Sequence, residues 1–320
     1  MKHIFVINPM AGKGGAVGRI MPDILRYKKN HGSFDYDTYV TKHEGDALDF
    51  VRKTCMENEN GEELRFYACG GDGTLFEVAN GAYGFKNVSV GSIPLGSGND
   101  YIRLYGTPDQ FGEIRAQIEG TAIDVDVIKC GNKIAMNQCS MGFDAETCNV
   151  QGTFKKLKFM NGESSYLAAL LYCFIKKMKN DFTIQIDDDE PFSSTVLFCV
   201  AANSRWYGGG FMPAPFAMPD DGEIDVVILK KQISRIKLLG LINKYKEGKL
   251  INHPMTVFKR AKRVHIISKQ PATVNIDGEC EIVTEADFEI QPKAMKFVIP
   301  TTSTFIEDKA SGKISNEITL

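Results

Sequence analysis

Four apolar segments punctuate the first third of the chain, and each runs into a polar turn and then into apolar residues at helical spacing. Ile4-Phe5-Val6-Ile7 is unbroken, as expected of a strand buried on both faces of a parallel sheet. Beyond its turn, Val17, Ile20, Ile24 and Leu25 recur with the period of a helix. Tyr36, Thr38 and Val40 alternate as a second strand, with a helix expected over 47–56. Residues 64–69 form a third strand followed by a helix through Val78 and Ala79, and 88–93 form a fourth followed by a short helix. Strands alternating with helices predict a doubly wound parallel sheet over residues 1–122.

The pattern then changes. Strands are expected at 124–130, 133–139, 182–186, 195–202, 224–229, 264–267 and 288–291, with helices only near 164–179 and 233–246. This predicts a second, mainly antiparallel β domain over 123–293, a sandwich or open barrel. One more apolar strand at 295–299 is placed back in the first domain, which 294–320 would complete. The tail from Thr301 is polar and expected to be mobile.

The chain has 320 residues, matching two domains of roughly 150 each. Hydrophobic residues make up 43% and charged residues 24%, the balance of a soluble protein with a large core. With 38 basic and 40 acidic side chains the net charge is -2, so nucleic acid is excluded as an expected partner. Eight scattered cysteines with no CxxC pair read as reduced core residues of a cytoplasmic protein. The apolar start is too short for a signal peptide, and the longest apolar run, 166–175, is far below the roughly 18–20 residues that span a bilayer. Work at a membrane surface stays open.

Candidate chemistry lies in the turns. Asn8-Pro9-Met10-Ala11-Gly12-Lys13-Gly14, Gly70-Gly71-Asp72-Gly73-Thr74 and Pro94-Leu95-Gly96-Ser97-Gly98-Asn99-Asp100 each follow an apolar strand and precede a helix. In an open α/β sheet such loops share the rim where ligands bind, and helix N-termini there attract phosphate. Neither GxGxxG nor GxxxxGK[ST] occurs, so dinucleotide and P-loop sites lack their fingerprints. A carboxylate at Asp72 inside a phosphate-binding loop implies a magnesium ion bridging the two charges, and Asp100 invites the same argument. Lys13 suits either a phosphate contact or a solvated loop. Glu279 follows a hairpin turn, Asn275-Ile276-Asp277-Gly278, and reads first as a turn residue. Lysines 155, 156, 158, 176, 177 and 179 flank the apolar block 166–175, which suits a core helix or an anionic membrane surface. The acidic run 187–190 reads as a hairpin loop, and the five histidines show no ligand spacing.

These loops, together with NQCSMGFDA at 137–145, Gly208-Gly209-Gly210, Pro219-Asp220-Asp221-Gly222 and Asn275-Ile276-Asp277-Gly278-Glu279, resemble the soluble bacterial diacylglycerol kinase family, whose catalytic domain sphingosine and ceramide kinases share. The resemblance runs in order over about residues 3–300. It implies an NAD kinase/diacylglycerol kinase-like nucleotide domain followed by a β-sandwich, and transfer of the ATP γ-phosphate to a lipid hydroxyl in phospholipid metabolism. By that resemblance ATP meets Asn8, Pro9, Gly12, Lys13, Gly14, Thr41, Gly70, Gly71, Asp72, Gly73, Thr74 and Ser97. It also implies that Asp72, Asp100 and Asp124 organise catalytic Mg²⁺, directly or through water, and that Glu279 is the general base. A structural Mg²⁺ is implied at the Asp221 carboxylate and the carbonyls of Met218 and Glu223. The implied partners are ATP, a lipid substrate in a cleft between the domains and the inner face of a membrane; a homodimer is compatible. A kinase of a soluble substrate, NAD kinase-like through GGDGT, is the alternative, and a catalytically silent lipid- or nucleotide-binding protein is a third reading.

Overall fold

The computed structural model describes residues 1–58, 61–155, 180–230 and 235–318. The basic and apolar stretch at 156–179, including the helix expected from 164, lies outside the described residues.

The chain divides into two compact units, Met1–Val125 with Lys293–Ser315, and Asp126–Pro292 with Asn316–Leu320. In the first, β1 (Lys2–Ile7), β2 (Tyr36–Val40), β3 (Leu64–Gly70) and β4 (Val88–Pro94) are parallel, in the order β4-β3-β1-β2. The end of the long strand β13 (Glu279–Ile299) joins beside β4, with Phe297 opposite Val90 in parallel. Helices Ala16–Asn30, Asp46–Glu57 and Asp72–Ala82 cross between these strands. Phe5, Ile7, Tyr67 and Ile93 of the sheet pack with Ile20 and Ile24 of the first helix. Val17 and Leu25 were part of the expected apolar face but are exposed. The helix buries a narrower stripe, Ala16, Ile20 and Ile24, against the sheet.

The second unit is antiparallel. It contains β6 (Lys133–Ala135), β7 (Gln138–Gly142), β8 (Asn180–Ile186), β9 (Phe192–Ala202), β10 (Ile224–Lys230), β11 (Thr256–Ala261) and β12 (Arg263–Ile276), plus the start of β13. They pair in the order β11-β10-β9-β7-β12-β13, with β8 against both β9 and β12, while β6 pairs with β5 (Thr121–Cys130). Residues 187–190 close the β8–β9 hairpin, as expected. Leu197, Val200, Val227 and Leu229 pack against Tyr207, Phe211 and Leu241 in one apolar cluster.

Several expectations need correction. The single strand read at 133–139 is two, because Met136, Asn137 and Gln138 turn their N–H groups onto the Asp277 carboxylate at 2.6–3.1 Å. The segments 288–291 and 295–299 are one strand, and β11 and the helix Phe143–Lys155 were not expected at all. The tail is not loose: it forms a helix, Phe305–Ala310, with Phe305 buried, and the Asn316 amide donates to Asp221 Oδ2 at 2.9 Å. Two of the seven described cysteines, Cys148 and Cys280, are half-buried rather than core. Among the described residues no helix is long and apolar enough to cross a membrane.

Two consequences for stability follow. Asp277→Ala would strand three main-chain donors at the corner of β6 and β7, and should cost about 3 kcal/mol in urea unfolding; a change within error would refute the clamp. Asp144 is buried at the start of its helix, and that burial, only partly offset by Ser140 and neighbouring N–H groups, pushes its carboxyl up to about 7. Its folded form therefore holds a proton that the unfolded form releases, so the penalty is absent below about pH 4 and complete above about pH 7, on the order of 4 kcal/mol. Asp144→Asn should gain stability relative to wild type as pH rises from 5 to 8. A pH-independent difference in melting temperature would count against this.

Candidate functional site

In the first unit the three glycine-bearing loops are joined by main-chain hydrogen bonds. Asn8 N–H donates to Cys69 O at 3.0 Å, Leu95 N–H to Gly70 O at 2.7 Å and Gly12 N–H to Leu95 O at 3.0 Å. The parallel order of β1, β3 and β4 puts their carboxyl ends on one rim and makes this stitching possible. Two of the loops touch through bare backbone: a Cβ on Gly96 would sit 2.5 Å from Gly71 Cα. No side chain larger than hydrogen fits that crossing.

Asp72 opens the helix behind the second loop, and its side chain turns into the third. Its Oδ1 accepts the Asp100 N–H at 2.8 Å, and a Cβ on Gly98 would lie 2.7 Å from its Oδ2. Burial pushes the Asp72 carboxyl up, while the N–H groups of Asp100, Asn99 and Tyr101 pull it back. Asp100 is buried and its carboxylate meets Arg103 Nε at 2.9 Å. Thus Asp72 and Asp100 are brought together. Asp124 is exposed, and its carboxylate is held by Lys296 Nζ at 2.8 Å.

The other expected residues of this unit fall as follows. Asn8 accepts the Met10 N–H at 3.0 Å and donates to Thr74 Oγ1 at 3.3 Å, linking the first loop to the second. Pro9 is half-buried beside it. Gly12, Lys13 and Gly14 have φ of 60°, 61° and 82°, and for Lys13 that left-handed conformation is strained. Thr41 caps the end of β2 on Ile7 O at 2.9 Å. Gly70 is pressed onto Thr74, whose Oγ1 would lie 2.2 Å from an added Cβ. Gly73 and Ser97 are exposed.

Three residues were missed. The exposed Arg19 reaches back over the first loop, its Nη1 3.3 Å from where a Gly12 Cβ would be. Arg103 donates to Gly98 O at 3.1 Å besides meeting Asp100. Glu77 accepts N–H groups of Gly45 and Ala47 at 2.9 and 3.1 Å, fixing the turn after Thr41. Only Glu77 had a visible signal, a lone carboxylate inside the apolar helix 75–82. The arginines are recognisable only once the loops are folded.

In the second unit, Glu279 opens β13 opposite Ile276, across a two-residue turn in which Asp277 and Gly278 have φ of 50° and 105°. The sequence suggested a hairpin turn, and positive φ at both central residues makes it type I′. Asp277 anchors the hairpin to β6 and β7, and Asn275 Oδ1 accepts the Gly278 N–H at 2.7 Å. Glu279 is half-buried.

The turn at 218–223 is organised by an unexpected residue, buried Asp126. Its Oδ2 accepts the Gly222 N–H at 2.7 Å and its own N–H donates to Pro219 O at 2.7 Å. Asp221 Oδ1 accepts the Glu223 N–H at 3.0 Å, and Met218 O accepts the Asp220 N–H at 2.9 Å. Burial pushes the Asp221 carboxyl up, more than Asn316 and the Glu223 N–H pull it down. Arg260 also pulls it down, yet burial prevails, and an oxygen donor of this kind is the type that suits a hard cation.

His265, Glu285 and Asp287 meet across β12 and β13, where Nδ1 is 3.1 Å from Asp287 and Nε2 is 3.6 Å from Glu285. Arg263 also holds Asp287, at 2.6 Å, so one of the two carboxylates already has a cationic partner.

Comparison with known proteins covers both units. A model described as the diacylglycerol kinase catalytic domain matches residues 2–130, and one described as the YegS C-terminal NAD kinase beta sandwich-like domain matches 137–299. A diacylglycerol kinase of Staphylococcus carnosus is 29% identical over 277 residues, 86% of this chain and 87% of that one. Two solved structures from Bacillus anthracis, the second described as a diacylglycerol kinase, share the fold with TM-scores of 0.74 and 0.66 at 22% and 18% identity; each covers 94% of this chain, and they cover 95% and 97% of their own. With both of its units matched in order and a fold shared almost end to end, the chain belongs to the diacylglycerol kinase family of lipid kinases.

Proposed function

We propose that this protein transfers the γ-phosphate of ATP to a hydroxyl of a lipid such as diacylglycerol. The observation that carries this reading is the crossing of two glycine loops beside Asp72, where the lack of side chains and the N-terminus of the helix Asp72–Ala82 suit the approach of a polyanion. Asn8 to Gly14, Thr41, Gly70 to Thr74 and Ser97 would line the nucleotide. Lys13, Arg19 and Arg103 add positive charge on the same loops.

Phosphoryl transfer asks a protein for positioning and charge neutralisation more than for covalent chemistry. When bound, a divalent magnesium ion would offset the charge of the phosphates. Asp72 and Asp100 suit such an ion through water, since their oxygens already accept N–H bonds or meet Arg103. Asp124 is the third residue assigned to that set. Asp221 with the carbonyls of Met218 and Glu223 would hold a second, structural ion. Glu279, on its clamped hairpin, takes the proton from the attacking hydroxyl. The lipid would be met at the inner face of a membrane.

The decisive assay is transfer of labelled γ-phosphate from ATP to a panel of lipids in mixed micelles, with NAD as the soluble control. Label on a lipid is expected; label on NAD alone would favour the soluble-substrate reading. On the best lipid, Glu279→Gln should lower turnover roughly 10²- to 10⁴-fold with ATP affinity little changed. Unchanged turnover would return Glu279 to the role of a hairpin residue. For the structural ion, Mg²⁺ should raise the melting temperature of wild type, and both EDTA and Asp221→Ala should abolish that rise. A melting temperature indifferent to Mg²⁺ would remove the site.

A further inference from the structure

Five of the seven described cysteines are buried, and all seven are free thiols. Cys148 and Cys280 differ. Cys148 lies on the helix Phe143–Lys155, and Cys280 is the second residue of β13, next to Glu279. Both sulfurs converge on one carbonyl: Cys148 Sγ is 3.4 Å from Gly278 O and Cys280 Sγ is 3.9 Å from the same oxygen. Cys280 also reaches Ala145 O at 3.8 Å, and the two thiols share a hydrogen bond. Cys130 and Cys139 are likewise in contact, but both are buried, so an oxidant in solution cannot reach them. Half-buried and adjoining, Cys148 and Cys280 meet both requirements of a disulfide-forming pair, proximity and access.

We propose that Cys148 and Cys280 are a redox-responsive dithiol, whose oxidation to a disulfide ties the helix 143–155 to the hairpin carrying Glu279 and lowers turnover. With a hydroperoxide as oxidant, the Cys148 thiolate attacks the peroxide oxygen. An S–O bond forms, the O–O bond breaks and the departing oxygen leaves as water or alcohol. The Cys280 sulfur then attacks that sulfenic sulfur; the S–S bond forms, the S–O bond breaks and water leaves with the Cys280 proton. Each sulfur is oxidised by one electron and the peroxide is reduced by two. Cys148 reacts first because burial and the shared hydrogen bond keep Cys280 protonated. In a reducing compartment such a bond is transient, as a regulatory disulfide must be. The loss of turnover rests on Glu279 acting as the base; the bond itself does not.

The test treats the full chain with hydrogen peroxide, alkylates free thiols without reduction and maps proteolytic peptides by mass spectrometry. A Cys148–Cys280 linked peptide is expected, lost on reduction with dithiothreitol. Turnover should fall several-fold on oxidation and return on reduction, while Cys148→Ser yields no linked peptide and keeps its turnover under the same treatment. Continued alkylation of both cysteines, a link at Cys130–Cys139 instead, or a Cys148–Cys280 link with unchanged turnover would each overturn the proposal. Glu279→Gln separates the two readings: if it keeps its activity, the assignment of Glu279 as base fails, and unchanged turnover of linked wild type then removes the regulatory effect with it while the bond itself stands.

Discussion

The close approach of Gly71 and Gly96 governs the geometry of the first unit. Because their backbones touch, the loops after β3 and β4 must run together, and the Asp72 side chain can turn into the N–H groups of residues 99–101. That turn brings Asp100 and its ion pair with Arg103 alongside Asp72. The first loop joins through Gly12 and Asn8. One steric condition, the absence of Cβ atoms at a crossing, thus orders acidic, basic and main-chain groups on a single rim.

A different device serves the second unit. There the Asp277 carboxylate collects N–H groups from three successive residues, interrupting what would have been one strand and fixing the hairpin before Glu279. A carboxylate bonded to consecutive N–H groups recurs at Asp187, which accepts from Lys262 and Arg263, and on the 218–223 turn Asp126 and Asp221 take one each, from Gly222 and Glu223. In each case a short acidic side chain does locally what a ladder of strand hydrogen bonds would otherwise do. Rigid turns of this kind hold a functional side chain in place without a large surrounding core.

The two sets of groups differ in their sensitivity to surroundings. Asp72, Asp144 and Asp221 all have carboxyls pushed up by burial, yet each is offset by different donors: main-chain N–H groups for Asp72, hydroxyls and N–H groups for Asp144, and an amide for Asp221. In all three, burial disfavours the charged form, and a nearby cation would favour it. The surface pairs, such as Lys2 with Asp37, contribute little by comparison.

Much was legible before folding. Apolar runs and glycine turns marked the four parallel strands, and the hairpin turn at Asp277-Gly278 was legible in its residues, because strand burial and tight turns are local demands that composition records. The motifs at 70–74 and 94–100 pointed to the glycine rim for the same reason. Folding alone decided which carboxylates meet. Asp72 joins Asp100, whereas Asp124 goes to Lys296; the arginines at 19 and 103 bend back onto the loops that precede them; and Cys148 reaches Cys280. Neither the break at Met136–Asn137 nor the union of 288–291 with 295–299 could be read from periodicity. Both depend on partners far along the chain, and a one-dimensional pattern records a residue's own preference for burial or for a turn but not the neighbour that satisfies it.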